Sequence, residues 1–207
     1  LRRITRDLRT ALPNSIRITT AGGVTYLEYL QTSGGGRYRS DVDSIGGGDP
    51  LDFTAVDTTF NVIGPMPTTM VAGDSIVIYN LNWDPAIATA NAYVGDNRGA
   101  YASNTATTIT LAPAKLFPFA SPGKRFQVVQ YPVTYECDPG ARVLRRYWGY
   151  AISAAQPTPP AGGSNALLAS SISQCSFVYS TSGTTQRTGV VALSLQVSQS
   201  GETVRLF

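Results

Sequence analysis

Histidine is absent from this sequence of 207 residues. Imidazole is the commonest general base and zinc ligand, and it activates the nucleophile of serine and cysteine triads, so its absence excludes most familiar hydrolase chemistries. Carboxylates could in principle pair as a general acid and base, but their positions in predicted turns explain them adequately. Those carboxylates are Asp52, Asp57, Asp74 and Asp84. We therefore predict no catalytic residue, no cofactor and no enzyme activity.

Cysteine is nearly absent, with only Cys137 and Cys175 present. Two thiols without histidine are too few for a zinc site, and these two are not a closely spaced redox pair. A single structural disulfide is the natural interpretation, and it would close a loop of about 38 residues and stabilise the fold by about 4 kcal/mol. Such a bond indicates an oxidising compartment. Two buried free thiols in a cytosolic domain are the alternative.

Charge is also scarce, since only 14% of residues are charged, and the net charge of +3 comes from 16 basic and 13 acidic residues. Arg2, Arg3, Arg6 and Arg9 already account for more than this excess. A nucleic-acid binder needs a basic face repeated across the fold to neutralise several phosphates. We therefore predict no nucleic-acid partner.

Long apolar runs are missing, since no stretch approaches the ~20 residues of a membrane span and no signal sequence is recognisable. The chain starts at Leu1 without methionine. Residues 1–12 form an amphipathic pattern with apolar side chains at helical spacing, which Pro13 ends and no N-terminal cap begins. We expect residues 1–12 to be the remnant of a longer helix whose upstream part has been removed.

Twenty glycines and 13 prolines accompany many β-branched and aromatic residues, a composition that favours a loop-rich β protein. Short apolar runs predict strands at residues 15–19, 25–31, 51–56, 75–81, 107–111, 129–137, 142–150, 175–180, 189–198 and 203–207. Strict alternation in residues 129–137 predicts a hairpin strand with one solvent-facing side. Glycine-rich residues 32–37 and 45–50 predict surface loops. The sum is an α+β fold in one domain over residues 1–207, with the N-terminal helix packed on antiparallel sheet.

Two segments invite binding hypotheses. Residues 41–52 cluster Asp41, Asp43, Asp49 and Asp52 around three glycines, which suits a hard cation, but the spacing is not that of an EF-hand and a solvated acidic loop is the alternative. We predict no metal site and leave calcium at this loop open. The glycines at 34–36 do not open a helix after a buried strand, which excludes a phosphate-cradling nucleotide loop.

An aromatic cluster lies on the return strand of the predicted hairpin. Tyr147, Trp148 and Tyr150 could form a platform on which a sugar stacks. Such residues more often belong to the core of a sheet. A secreted carbohydrate-binding module therefore stays as an alternative function.

Five short segments together carry a family resemblance over most of the chain. They are residues 1–11 (LRRITRDLRTA) followed by 15–18 (SIRI), the pair 133–135 (VTY) and 144–146 (LRR), and 166–168 (ALL) leading to Phe177 and Tyr179. In their order and spacing the chain resembles type IV minor pilins of the mannose-sensitive haemagglutinin (MSHA) biogenesis and PilW-like group. It also resembles the related J-class minor pseudopilins of type II secretion.

The resemblance implies a soluble pilin-like head whose upstream part is a leader cleaved by prepilin peptidase and about 25 apolar residues, enough to span a membrane. It implies an inner-membrane subunit with a periplasmic head that later joins an extracellular pilus of a Gram-negative bacterium. Its partners would be the other major and minor pilins, and its role would be to prime assembly or form the tip. No catalytic residue carries over.

Overall fold

A computed structural model describes residues 1–67, 70–181 and 189–207. Within these ranges the chain forms one α-helix and twelve strands, and its sheets are built from antiparallel strand pairs. The elements are α1 (Arg2–Leu8), β1 (Arg17–Ala21), β2 (Val24–Tyr38), β3 (Asp57–Ile63), β4 (Ser75–Ile78), β5 (Arg98–Asn104), β6 (Thr108–Lys115), β7 (Arg125–Asp138), β8 (Val143–Trp148), β9 (Ser164–Ser170), β10 (Ile172–Thr181), β11 (Gly189–Gln199) and β12 (Glu202–Leu206).

The prediction of an α+β, pilin-like fold is wrong, because strands make up 51% of the chain and helix only 4%. Helix α1 ends at Leu8, four residues short of the predicted end. Beyond it, Thr10 and Ala11 donate backbone hydrogen bonds three residues back, and the N–H of Leu12 donates to the carbonyl of Leu30 on β2. The last predicted turn of helix is therefore replaced by contact with a strand, and the fold is a β-rich one.

Two compact units make up the chain. Unit 1 contains Leu1–Leu30 and Tyr131–Phe207, and unit 2 contains Gln31–Gln130. Strands β2 and β7 contribute residues to both. The prediction of one domain over residues 1–207 stays a prediction.

In unit 1 one sheet has the order β1-β2-β7-β8-β9, and a three-stranded sheet has the order β10-β11-β12. The hairpin predicted from alternation is present as β7 and β8, whose register pairs Val133 with Trp148 and Asp138 with Val143. The core lies between α1, the first sheet and the second sheet. Its buried residues are Ile4, Leu27, Tyr29, Val133, Tyr135, Cys137, Leu144, Ile172, Phe177 and Leu195.

The prediction that β7 has one solvent-facing side is wrong, because residues 132–137 are all buried. Thr134 and Glu136 point away from the core of unit 1, yet they are 0% and 9% exposed. Both carry hydrogen bonds to neighbouring side chains on this second face. A polar side chain tolerates burial when it is hydrogen-bonded, so alternation alone did not reveal that this face is covered.

Unit 2 consists of six strands in the order β2-β3-β6-β5-β4-β7, and β7 pairs back with β2, so the strands close into a ring. Its core contains Tyr38, Leu51, Phe60, Val62, Ile76, Ile78, Ile109, Leu111, Phe117, Phe126 and Val128. Closure of a sheet on itself leaves no unpaired edge in that ring. The strand predicted at residues 51–56 is wrong, since β3 begins at Asp57.

The surface loop predicted at residues 32–37 is also wrong, because this segment lies inside β2. A Cβ atom on Gly35 would lie 2.6 Å from the carbonyl oxygen of Phe126, and one on Gly36 would lie 2.8 Å from the Phe126 ring. The glycines therefore allow close approach of β7 and of its aromatic side chain. The other predicted loop, residues 45–50, lies outside the strands as expected.

No helix in the described ranges has the length and apolar character that crossing a membrane requires.

Candidate functional site

Helix α1 docks on the unit 1 sheet through a narrow apolar stripe. Ile4 is 1% exposed inside the core, and Leu1 and Leu8 pack partly buried against the same cluster. These three residues recur at intervals of three and four, the spacing that places side chains on one helical face. The opposite face carries four exposed arginines, Arg2, Arg3, Arg6 and Arg9.

A carboxylate from α1 joins this helix to two strands. Asp7 Oδ2 accepts a hydrogen bond from Arg146 Nε on β8 at 2.9 Å and from the Tyr135 hydroxyl on β7 at 2.7 Å. Arg3, one turn earlier in α1, lies 3.5 Å from the same oxygen and is mostly exposed. The Arg146 guanidinium carbon lies 4.9 Å from the centroid of the Trp148 ring, a cation–π distance.

Burial shapes the chemistry of this cluster. Burial raises the pKa of Tyr135 above its ordinary value, and the hydrogen bond to Asp7 raises it further. The side chains of Arg146 and Asp7 are 7% and 14% exposed, so water screens their attraction much less than it screens the Arg3 pair. The cluster is thus a charge-assisted contact that positions α1 on the sheet.

A second buried ion pair lies on the other face of the sheet in unit 1. Arg17 on β1 and Glu28 on β2 are directly paired in register, and Arg17 Nη2 lies 2.6 Å from Glu28 Oε1. The Tyr150 hydroxyl donates to Glu28 Oε2 at 2.9 Å, and Arg17 Nη1 donates to the Ala154 carbonyl at 2.6 Å. Burial raises the pKa of Glu28, and the charge of Arg17 opposes that rise.

This network ties the segment after β8 onto the sheet. Buried ion pairs are weak evidence for net stability, because removing the charges from water costs about as much as their attraction returns. Their geometric value is specificity, since Arg17 reaches carbonyls of both Ser153 and Ala154. We interpret the pair as the element that fixes the path of residues 149–156.

A third polar group lies beside it. The Tyr147 hydroxyl donates to Glu136 Oε2 at 2.6 Å, and the Tyr26 hydroxyl donates to Glu136 Oε1 at 3.4 Å. Burial and the neighbouring carboxylate raise the pKa of Tyr147 to about 12. The backbone of Tyr26 also has a side-chain partner, because the Gln156 amide donates to the Tyr26 carbonyl at 3.1 Å.

The predicted aromatic platform does not assemble on one surface. Tyr147 and Trp148 are consecutive strand residues and point to opposite faces of β8. Tyr147 is hydrogen-bonded to Glu136, Trp148 lies against Arg146, and Tyr150 is 6% exposed. Tyr147 and Trp148 are half-buried and Tyr150 is buried, and the three side chains make separate contacts in unit 1.

The acidic residues of the loop at 41–52 are used locally. Asp43 Oδ1 accepts hydrogen bonds from the N–H groups of Ile45 and Gly47, and Asp41 accepts one from the Ser40 hydroxyl. Hydrogen bonds from Thr54 lower the pKa of Asp52. Across residues 1–67, 70–181 and 189–207, no three metal-binding side chains gather into a group that could hold an ion. Calcium binding at this loop finds no geometric support here.

The two cysteines meet across the core of unit 1. Cys137 on β7 and Cys175 on β10 are joined in a disulfide with their Cα atoms 6.4 Å apart. Cys137 is completely buried. The bond links the first sheet of unit 1 to the three-stranded sheet, which share that core.

Sequence reasoning missed both ion pairs. A signal for the first was available, because Asp7 borders the apolar stripe of Ile4 and Leu8 on α1, where a partly buried acidic side chain needs a partner. Nothing local indicated Arg146, which lies 139 residues away. Comparison of this chain with protein-family models, curated proteins and solved structures finds no match.

Proposed function

We propose that this chain is a minor pilin, a non-catalytic subunit that takes part in type IV pilus assembly by priming the filament or forming its tip. The observation that carries the proposal is the docking of α1. This amphipathic helix is held on antiparallel sheet by Ile4 and by the Asp7–Arg146 pair, while its arginine face stays exposed. The proposal concerns the role of the chain alone and does not depend on the α+β, pilin-like fold, which the β-rich structure contradicts.

Such a subunit works through side contacts with its neighbours. The exposed guanidinium groups of Arg2, Arg3, Arg6 and Arg9 would pair with acidic side chains of adjacent major and minor pilins, since planar guanidinium groups match carboxylates in two-point contacts. An apolar helix upstream of Leu1, which the family resemblance implies, would hold the subunit in the inner membrane before assembly. In the filament that helix would exchange lipid for neighbouring helices.

The disulfide supports the same location. A bond between Cys137 and Cys175 forms and persists in oxidising compartments, and the periplasm is one of them. The carboxylates of Asp7, Glu28 and Glu136 also favour a structural role, because each accepts hydrogen bonds from side chains of the same protein.

The test is deletion of the gene in its native host, followed by counting surface filaments in electron micrographs. We expect filaments to be lost or strongly reduced, and the wild-type gene to restore them. A variant with Arg2, Arg3, Arg6 and Arg9 changed to Glu should not restore them. The matched variant with the same four residues changed to Lys keeps the charge and should restore them at least in part.

Other outcomes would overturn the proposal. If filaments stay intact and protein secretion fails, the chain is a J-class pseudopilin of type II secretion. If both stay intact and the purified chain is retained on a polysaccharide column, the carbohydrate-binding alternative takes its place.

A further inference from the structure

Unit 2 carries a shallow pocket of about 230 Å³ where β2 ends. Three cationic side chains line it, those of Arg37, Arg39 and Lys124, together with the single carboxylate of Asp41. Three positive charges and one negative charge leave a formal charge of +2 in a small space. The function proposed above is argued from residues of unit 1, so this pocket in unit 2 is a separate feature.

The backbone of unit 2 brings these cations together. Arg37 and Arg39 flank Tyr38, whose side chain is buried in the unit 2 core, so both arginines leave the chain on the opposite side. The N–H of Tyr38 donates to the carbonyl of Lys124 at 2.9 Å, which places Lys124 beside them. The Tyr38 hydroxyl accepts a hydrogen bond from the N–H of Ser121 at 2.9 Å and so fixes the same loop.

Arg39 is held in place but is not neutralised. Its Nε atom is buried and has no hydrogen-bond partner in the described part of the chain. The ion pairs found among the described residues involve Arg3, Arg17 and Arg146, and none of them reaches this pocket. Asp41 accepts its hydrogen bond from Ser40 instead. No carboxylate of the described residues therefore compensates the charge of the Arg39 guanidinium group, and an anion in the adjacent pocket would be favoured by that charge.

A glycine turn closes over the Arg39 side chain. Gly48 has a φ of +89°, and a Cβ atom at this position would lie 2.6 Å from Arg39 Nε. The backbone of Arg39 is fixed from both sides, because its N–H donates to the Asn61 carbonyl and its carbonyl accepts from the N–H of Leu51. The backbone of Arg39 is therefore fixed and Gly48 covers one side of its Nε, which reduces the conformational freedom that a ligand must remove.

We propose that this pocket binds a tetrahedral oxyanion, a phosphate or sulfate group, either as the free ion or as the monoester of a sugar. Guanidinium groups contact such anions through two parallel hydrogen bonds, and a lysine adds a mobile point charge. Sites for drug-sized ligands usually occupy about 300–1,000 Å³. The smaller volume here suits the anionic group itself, with any sugar extending toward solvent.

The experiment is calorimetric titration of the full chain at low salt with sodium phosphate, with glucose 6-phosphate and with glucose. We expect saturable binding of the two phosphates and none of glucose. Arg39→Gln and Lys124→Asn should each weaken binding by about tenfold or more, because each removes a charge-assisted contact. Arg125→Gln removes an exposed positive charge next to Lys124 that does not line the pocket, and it should change the affinity by less than about twofold.

Lys124 has a φ of +54°, a conformation that asparagine adopts more readily than most residues, so Lys124→Asn should fold even if Arg39→Gln does not. Thermal unfolding of each variant checks this point. Tighter binding of glucose 6-phosphate than of phosphate would assign the site to an ester, and equal affinity would assign it to the free ion. Absence of saturable binding to both phosphates would overturn the proposal. So would an equal loss in Arg125→Gln and Lys124→Asn, because it would mean unspecific attraction by charge.

Discussion

Asp7 of α1 and Arg146 of β8 form a hydrogen-bonded ion pair, with 2.9 Å between Asp7 Oδ2 and Arg146 Nε, across 139 residues of sequence. The pair is mostly shielded from water, and the Tyr135 hydroxyl completes it at 2.7 Å. Apolar packing of Ile4, with Leu1 and Leu8, turns one face of the helix toward the sheet. The ion pair adds direction, because a hydrogen bond between charged groups restricts both distance and angle.

Replacing Asp7 by Ala should lower the free energy of unfolding by about 2 kcal/mol, because Arg146 would stay buried without an anion. Urea unfolding followed by circular dichroism measures this difference. Arg3→Ala removes the mostly exposed partner of the same carboxylate and should cost about 0.5 kcal/mol or less. The double variant Asp7→Ala with Arg146→Met should recover part of the loss. Equal effects of Asp7→Ala and Arg3→Ala would contradict the role that we assign to the pair.

The three consecutive glycines of β2 should respond differently to alanine. A Cβ atom on Gly34 meets only Pro67 at 3.6 Å, an ordinary contact, whereas on Gly35 and Gly36 it would overlap the carbonyl or the ring of Phe126. Gly34→Ala should therefore be neutral or slightly stabilising, by up to about 0.5 kcal/mol, since alanine restricts the unfolded chain. Gly35→Ala and Gly36→Ala should each destabilise the protein by about 1–3 kcal/mol. Thermal unfolding of the three variants side by side measures these differences. A destabilised Gly34→Ala would contradict the ordinary contact distance at Gly34.

Reduction of the disulfide between Cys137 and Cys175 should lower the stability of the fold, although it breaks only the S–S bond and removes no side-chain atom from the core. The closed loop of 38 residues corresponds to about 4 kcal/mol on the chain-entropy estimate. Guanidinium unfolding with and without a phosphine reductant measures the loss. The variant with both cysteines changed to Ala serves as control, because the reductant should leave its midpoint unchanged. If the wild-type midpoint is the same with and without the reductant, the bond does not constrain the unfolded chain.

Tyr147 should ionise late in the folded protein. Its pKa is raised to about 12, whereas an unfolded tyrosine ionises near 10.0, so the folded state keeps this proton over a range in which the unfolded chain has lost it. Its contribution to stability is therefore fully present below pH 10 and is lost as pH rises through about 12. Tyrosinate absorbance near 295 nm should show a late step that Tyr147→Phe removes. A step already complete near pH 10 would contradict the part-buried hydrogen bond to Glu136.

Local alternation predicted the β7–β8 hairpin correctly, because the period of two is a property of neighbouring residues and needs no knowledge of the rest of the fold. The same alternation failed to predict that Thr134 and Glu136 are buried. Their burial depends on Glu28 and Tyr147, which supply hydrogen-bond partners from other strands. A polar residue on a covered face cannot be distinguished from one in solvent until those partners are known.

The predictions of the length of α1 and of a loop within β2 failed for a related reason. Residues 9–12 continue the helical pattern of residues 1–8, but Leu12 hydrogen-bonds to Leu30 instead. The glycines at 34–36 suggested a loop, yet the close approach of Phe126 requires glycine inside the strand. In both places a contact distant in sequence overrides a local preference that is worth only a fraction of a kcal/mol to about 1 kcal/mol per residue.

The sequence by itself determined the β-rich composition, the apolar stripe of Ile4 and Leu8, and the one pairing that two cysteines in a chain can make, since these depend on counts and on short spacings. Tertiary structure alone decided which partners meet: Asp7 with Arg146, and Lys124 with the pair of arginines at the end of β2. Charged side chains reach across strands that are distant in sequence, and their cost or benefit depends on burial and on exact neighbours. Those quantities exist only once the strands have paired, which is why both the helix-docking contact and the cationic pocket became visible only in the folded chain.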